Sequence, residues 1–465
     1  MLFSTLPFIY IFMPAVLLTY FLVPRKFRNA VLLIFSLIFY IYGERTYIAI
    51  VFFSIATDFI FGLKIEKHRE TNPKLAKRYM VASIITNLLL LGFFKYVDFF
   101  IGAFNLIPGL DIGLTGVRLP IGISFFTFQT MSYSVDVYRG DVKAQRNLIN
   151  FATFVSMFPQ KVAGPVVRYS HVAKELEDRR ETIAMFAQGV RRFCIGLGKK
   201  VLIADNMGLL AQIFRDSNEN SVMFYWLYAF AFFFQIYFDF SAYSDMAIGL
   251  GKMFGFEMPE NFNFPYIARS ITDFWRRWHM TLGTWFRDYV YIPLGGNRVG
   301  QWRWIYNVIV VWALTGFWHG ADWNFILWGL MMAALLLLER FAIGKLLKKW
   351  RIFSHAYVII MIVFSFVIFN AEGMSGMVSD LGGMLGLNGN ELVGPEAIYY
   401  LRSFGVVFIV AILGSTPMFK KWGDKLLANR SRLTMLEPVM MAAILLLTTA
   451  AMVDGSFSPF LYFRF

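Results

Sequence analysis

Long apolar runs separated by short polar breaks set the pattern of this chain. They lie near 6–23, 30–42, 47–63, 79–104, 121–138, 148–158, 183–203, 222–256, 304–318, 323–338, 356–370, 400–415 and 437–453. A helix that crosses a bilayer needs about 20 apolar residues, so several runs are short for a span. The runs at 148–158 and 304–338 are expected to be re-entrant or buried within protein. No alternating strand pattern competes with this reading. The pattern predicts an all-α, polytopic integral membrane protein organised as one unit over 1–465, with no repeat and no separable soluble domain.

Charge gives the runs a direction. Basic clusters fall in alternate breaks: PRKFR at 24–28, KIEKHRETNPKLAKR at 64–78, YRGDVKAQR at 138–146 and KKWGDKLLANRSR at 420–432. The break at 371–399 holds Glu372, Asp380, Glu391 and Glu396 and no Lys or Arg. Cytoplasmic loops carry the excess of Lys and Arg, which places the amino terminus and the SPFLYFRF ending outside. Composition agrees: 58% hydrophobic and 16% charged residues, against about 25% charged in a soluble domain. The first run lacks a basic leader and a small-residue cleavage site, so it is expected to stay in the mature protein. The net charge of +14 fits loops beside anionic lipid and not nucleic acid. Cys194 is the single cysteine, which excludes an intrachain disulfide, a dithiol centre and a Cys-rich zinc site.

Between about 158 and 330 the sequence departs from simple spans. PQKVAGPVVRYSHVAKEL (159–176) puts Pro, Gly and basic residues where a span would be apolar. FDFSAYSDMAIGLGKMFGF (238–256) sets Asp239 and Asp245 among apolar residues, and the segment 261–298 mixes Trp, Arg and His densely. His319 stands in TGFWHGADWNFILWG, crowded by aromatic residues. An ionisable side chain at membrane depth is costly and marks a functional candidate, and imidazole is the side chain best suited to move protons near neutral pH.

FPQKVAGPVVRY, FDFSAYSDMAIGLGKMFG, FWRRWHMTLGTWFRDYVYIPLGGNR and TGFWHGADWNFILWG resemble, in order, the core motifs of the membrane-bound O-acyltransferase family. LPIGISFFTFQTMSYSVDVYRG and the PFLYFRF ending resemble its bacterial alginate O-acetyltransferase branch. The resemblance runs through nearly the whole chain, with the motif-rich core at about 119–330. It implies a ring of about 11–13 tilted and re-entrant helices around a central tunnel, in a bacterial cytoplasmic membrane. It implies acyl transfer to a hydroxyl, with His319 as the catalytic residue and His279 as the second family position. The implied donor is a cytosolic thioester, acetyl-CoA, with no bound cofactor and no metal. The implied acceptor is an extracytoplasmic polysaccharide, or a partner protein that relays acetyl to it.

The residues support that chemistry from below. A thioester is already activated, so the main task is to deprotonate the acceptor hydroxyl, which a neutral imidazole does as general base. The tetrahedral oxyanion needs donors, and Trp318, Trp323, Asn324 or His279 can supply one. Asp322 either orients His319 or caps the helix that begins at Trp323, and the cap is the favoured reading. Arg276 and Arg277 either bind CoA phosphates, for which Arg forks are suited, or touch lipid headgroups. Lys161 and Arg168 carry the same two readings. Asp239 and Asp245 read as buried links between helices. His68, His171 and His355 read as solvated, and Cys194 as a packing residue. His279 and His319 lack a third zinc ligand at suitable spacing.

Two other functions fit the residues less fully. One is D-alanyl transfer to teichoic acid from a carrier-protein thioester, which needs a docking surface where free CoA needs a phosphate pocket. The other is proton-coupled transport with His319 as relay. Transporters commonly show inverted repeats, and the chain has no such pattern.

Overall fold

The computed structural model describes residues 2–161, 164–428 and 436–455. The PFLYFRF ending and the 429–432 end of the last basic cluster lie outside the described residues. Among the described residues all regular structure is helical, so the chain is an all-α, multi-pass membrane protein. Among the described residues seven helices are long and apolar enough to cross a bilayer, the longest being Val222–Met253 and the continuous stretch Pro73–Phe104. Internal packing divides the chain into two compact units, Met1–Phe193 with Ser244–Pro259, and Cys194–Tyr243 with Glu260–Phe465.

The first unit contains α1 (Met13–Leu22), α2 (Arg28–Gly43), α3 (Ile48–Arg69), α4 (Pro73–Leu91), α5 (Val97–Phe104), α6 (Ile123–Arg139), α7 (Leu148–Ser156), α8 (Tyr169–Glu177) and most of α9 (Ile183–Gly198). α7 is only nine residues long, which agrees with the short, non-spanning run read at 148–158. Where α3, α4 and α6 pack, the Asp58 carboxylate accepts from Ser83 Oγ at 2.6 Å and from Asn87 Nδ2 at 2.9 Å, and Thr130 Oγ1 donates to Asn87 Oδ1 at 2.9 Å. A buried polar group in an apolar bundle costs stability unless it is paired, and this cluster pairs internally. Asp245 holds Arg192 at 2.9 Å, as expected for a link between helices. Lys161 is buried with its ammonium 4.2 Å from the centre of the Tyr40 ring, a cation–π contact. Arg168 is the half-buried residue at the start of α8.

The second unit contains α10 (Asp205–Asp216), the first part of α11 (Val222–Met253), and then α12 (Ile271–Trp275), α13 (Met280–Phe286), α14 (Gln301–His319), α15 (Trp323–Leu338), α16 (Gly344–Lys349), α17 (Arg351–Asn370), α18 (Gly373–Met384), α19 (Pro395–Ser403), α20 (Gly405–Gly414), α21 (Met418–Ala428) and α22 (Leu436–Asp454). Asp239 meets the buried Lys200 ammonium at 2.7 Å, and Asp205 meets the same ammonium at 2.7 Å. Arg215 pairs with Asp380 at 2.6 Å. The 323–338 part of the stretch 304–338, read as re-entrant or buried within protein, instead belongs to a longer helix. A π-helical turn at Glu339–Ile343 carries α15 on into α16, and the 27-residue stretch Trp323–Lys349 is long enough to span. The run appeared short because the charged pair Glu339–Arg340 interrupts it in sequence without ending the helix.

Candidate functional site

The second unit brings both singled-out histidines to one indole. α14 and α15 form a hairpin whose backbones nearly touch. A Cβ on Gly316 would lie 2.2 Å from the Phe325 carbonyl oxygen, and one on Gly329 would lie 2.3 Å from the Trp312 carbonyl oxygen. Glycine is needed there because the obstructing atoms are backbone and no rotamer change removes them. His319 is the last residue of α14. Asp322 caps α15, its carboxylate accepting from the Trp323 N–H at 2.6 Å, which settles its role as the cap. The His319 ring packs among Trp318, Trp328 and Phe369, with centroids 4.9, 5.2 and 5.2 Å away.

His279 arrives by another route. It precedes α13 with φ 43° and ψ 52°, a left-handed conformation that is uncommon for a residue with a Cβ and clusters at functional sites. Asn261 holds it there. The Met280 N–H donates to the Asn261 backbone oxygen at 2.9 Å, and the Asn263 N–H donates to the Arg277 oxygen at 2.9 Å. Asn261 Oδ1 also lies 3.1 Å from His279 Nδ1 and 2.8 Å from Thr281 Oγ1. The His279 ring meets Phe240 edge-on at 4.7 Å and lies 6.4 Å from the Trp318 ring. Trp318 therefore meets both histidine rings, His319 at 4.9 Å and His279 at 6.4 Å.

Burial pushes the His279 pKa down to about 3, so the imidazole is neutral. The sign of the linkage follows. Below about pH 6.5 an unfolded chain protonates this ring while the native chain does not, so stability is full above that pH and falls as pH drops below it. We expect the unfolding temperature of the purified protein to fall between pH 7 and pH 5, and His279→Gln to flatten that slope.

A cavity of about 1040 Å³ reaches His279. One wall is aromatic and aliphatic, from Trp275, Trp304, Val308, Trp312 and Thr315. Cationic residues border it as well: Arg269, Arg276, Arg287, Arg340 and Lys348. The Arg340 guanidinium lies 3.8 Å over the Trp304 ring. Glu339 also lines the cavity. Its carboxylate accepts from the Ile271 N–H, from the Thr272 N–H at 3.2 Å and from Thr272 Oγ1 at 2.9 Å. A second cavity of about 490 Å³ is lined by Ile267, Arg269, Asp273, Arg277, Arg351 and His355, so Arg269 borders both. Arg277 pairs with Asp273 at 2.9 Å. A cavity lined by both apolar and cationic side chains suits a ligand with apolar and anionic parts, and a neutral buried imidazole suits proton transfer.

The sequence candidates divide clearly. His279, His319, Trp318, Asn324 and Arg276 fall in one unit, and Arg277 lines the smaller cavity. Lys161 and Arg168 belong to the first unit and line neither cavity. Asn324 donates to the Ala371 carbonyl at 3.0 Å and lies 3.4 Å from those of Ile368 and Phe369, so its amide holds α15 to the end of α17. His355 differs from its solvated reading. It is half-buried, and its Nδ1 donates to the Ala268 carbonyl at 3.0 Å. His68 is half-buried and stacks on Tyr79 at 5.9 Å, while His171 is exposed as expected. Asn261, Arg269, Glu339, Arg340 and Lys348 were not singled out from sequence. None of these stood out by sequence, since Asn261 lies beside Glu260 and Asn263 and the others gather only through folding.

Comparison with known proteins adds the family. The model of the MBOAT, membrane-bound O-acyltransferase family, matches residues 123–379. A probable alginate O-acetylase AlgI of Pseudomonas putida is 38% identical, with 100% of each chain covered. The peptidoglycan O-acetyltransferase of Helicobacter pylori is 36% identical over 90% of this chain and 87% of its own. The teichoic acid D-alanyltransferase of Bacillus subtilis is 31% identical over 55% of this chain and 68% of its own.

Proposed function

Since this chain belongs to the membrane-bound O-acyltransferase family, and so is an O-acyltransferase, we propose that it moves acetyl from cytosolic acetyl-CoA to a hydroxyl outside a bacterial cytoplasmic membrane. The acceptor is an exported polysaccharide such as alginate, or a partner protein that passes the acetyl to it. The whole chain, 1–465, works as one O-acyltransferase domain.

The observation that carries this reading is Trp318 in ring contact with two buried histidines, with a cavity lined in part by cationic side chains reaching one of them. α17 gives the arrangement a polarity. Its 20 residues span roughly 30 Å, the thickness of the hydrocarbon core. Its first end adjoins Lys345, Lys348, Lys349 and Arg351, and its last end leads into the segment 371–399 that has no Lys or Arg. The positive-inside rule puts the first end in the cytoplasm and the amino terminus of the chain outside. Lys348 of the cavity sits at the cytoplasmic end, and Phe369 against His319 sits at the outer end. Donor and acceptor thus meet near Trp318 from opposite sides.

The steps follow from this placement. The pantetheine arm lies along the aromatic wall, and Arg269, Arg276 and Arg277 hold the phosphates. His319 takes the proton of the acceptor hydroxyl. The hydroxyl oxygen bonds to the thioester carbonyl carbon, the tetrahedral oxyanion forms and collapses, and the C–S bond breaks. CoA leaves as thiolate, and the proton held by His319 passes to it directly or through water, which restores the neutral imidazole. Of the oxyanion donors offered by the sequence, Asn324 is occupied by carbonyls and Trp323 is half-exposed, which favours the Trp318 indole.

The test uses purified protein in nanodiscs with radiolabelled acetyl-CoA. Wild type should consume the thioester and pass label to a soluble polysaccharide or partner. Arg269→Ala should raise KM for acetyl-CoA about tenfold or more, the weight of one charge-assisted hydrogen bond, and leave KM for acetyl-pantetheine unchanged. Turnover of a D-alanyl carrier-protein thioester with none of acetyl-CoA would replace this reading with the D-alanyl one.

A further inference from the structure

The hydrogen bonds around His279 fix where its proton sits. Asn261 Oδ1 receives three neighbours: Thr281 Oγ1 at 2.8 Å, His279 Nδ1 at 3.1 Å and the Thr281 N–H at 3.3 Å. A backbone N–H can only donate, so the Asn261 atom it meets is the carbonyl oxygen. The opposite amide orientation would set N–H against N–H. A carbonyl oxygen cannot donate, so the nitrogen of His279 facing it must carry the hydrogen. In a neutral imidazole one nitrogen is a donor and the other an acceptor.

We propose that Asn261 is a positioning residue that locks His279 in its Nδ1–H tautomer, leaving Nε2 as a proton acceptor at the acyl-transfer site and never as a donor to the oxyanion. The inference rests on the acyltransferase reading for its catalytic meaning, but the tautomer itself does not.

Three further observations support it. Nε2 is buried and makes no hydrogen bond among the described residues, so none of them fixes the opposite tautomer. The ring is held in orientation by its left-handed backbone and by the Phe240 edge contact. Burial keeps the ring neutral, and a neutral ring has only these two tautomers. A hydrogen bond of this kind commonly sets which imidazole nitrogen is available. His279 then offers an acceptor near Trp318, and oxyanion stabilisation falls to other donors. An acceptor Nε2 suits the acceptor hydroxyl or an amide N–H of the pantetheine arm.

The experiment is nitrogen-15 NMR of the full chain in nanodiscs with labelled histidine, the His279 signals being identified by their loss in His279→Gln. The expected result is a protonated Nδ1 and a bare Nε2 in wild type at pH 7. Asn261→Asp keeps an acceptor opposite Nδ1, so it should keep the tautomer and retain most of kcat. Asn261→Leu should mix or invert the tautomers and lower kcat about a hundredfold with KM for acetyl-CoA near wild type. Thr281→Val removes one hydroxyl and should leave the tautomer unchanged. A protonated Nε2 in wild type overturns the proposal, and so does an unchanged tautomer in Asn261→Leu. If Asn261→Leu fails to fold, the wild-type and Asn261→Asp spectra still decide. A chain with the Nδ1–H tautomer but no acetyl turnover would refute the acetyl reading and leave this inference standing.

Discussion

His319→Gln should abolish acyl transfer while the protein remains folded, lowering turnover by a factor of about 10² to 10⁴, the range supplied by one general base. Glutamine is the informative change because it comes near the size and hydrogen-bonding capacity of the ring but cannot take up a proton at neutral pH. His319→Ala should lose as much activity and also some stability, since it opens a gap among Trp318, Trp328 and Phe369, whose rings lie 4.9 to 5.2 Å away. The measurement is transfer of label from acetyl-CoA by each variant in nanodiscs, with thermal unfolding of the same samples as the check on folding. Activity equal to wild type in His319→Gln would remove His319 from the chemistry. Proton-coupled uptake lost in the variant, with no thioester turnover in wild type, would favour the transport reading.

Gly316→Ala should cost both stability and activity, though it adds a single methyl group. The new Cβ would lie 2.2 Å from the Phe325 carbonyl oxygen, so the α14–α15 hairpin must open by about 1 Å. Overpacking of this kind costs about 1–3 kcal/mol and sometimes more. His319 lies less than one turn further along α14, so the opening shifts the base relative to its substrate. A misplacement of about 1 Å is enough for a hundredfold loss in rate. Gly329→Ala meets the Trp312 carbonyl oxygen at 2.3 Å and should behave alike, whereas Gly300→Ala, with nothing within 4 Å, should not. Unfolding temperature and acetyl turnover of the three variants test this together. Unchanged turnover in Gly316→Ala would show that the hairpin spacing does not position His319.

Several parts of this molecule were legible without coordinates. The apolar runs matched the length a helix needs to cross a bilayer, so the all-α class and most spans could be read from local pattern. His319 stood out because a base among aromatic residues has no cheap local explanation. Asp322 read as a cap because the need of a helix start for an acceptor is local too. The two acidic links, Asp239 to Lys200 and Asp245 to Arg192, were legible as types but not as pairs.

Sequence by itself thus determined that this chain lies in a membrane, is helical, belongs among the O-acyltransferases and carries two histidines worth testing, because each of these depends on residue type, spacing or motif order. Tertiary structure decided which groups meet. The continuation of α15 through Glu339 and Arg340 brought two charges to a cavity that their position in the chain had suggested was a break. Arg269 reaches the cavity from one segment, and Arg340 and Lys348 reach it from the single stretch Trp323–Lys349, more than 50 residues later in the chain, and no spacing rule connects the two segments. The tautomer of His279 depends on an oxygen of Asn261, 18 residues earlier, and on the left-handed turn that presents the ring to it. Hydrogen bonds of this range are set by the packing of the whole unit, which is why the residue could be named from sequence and its chemical state could not.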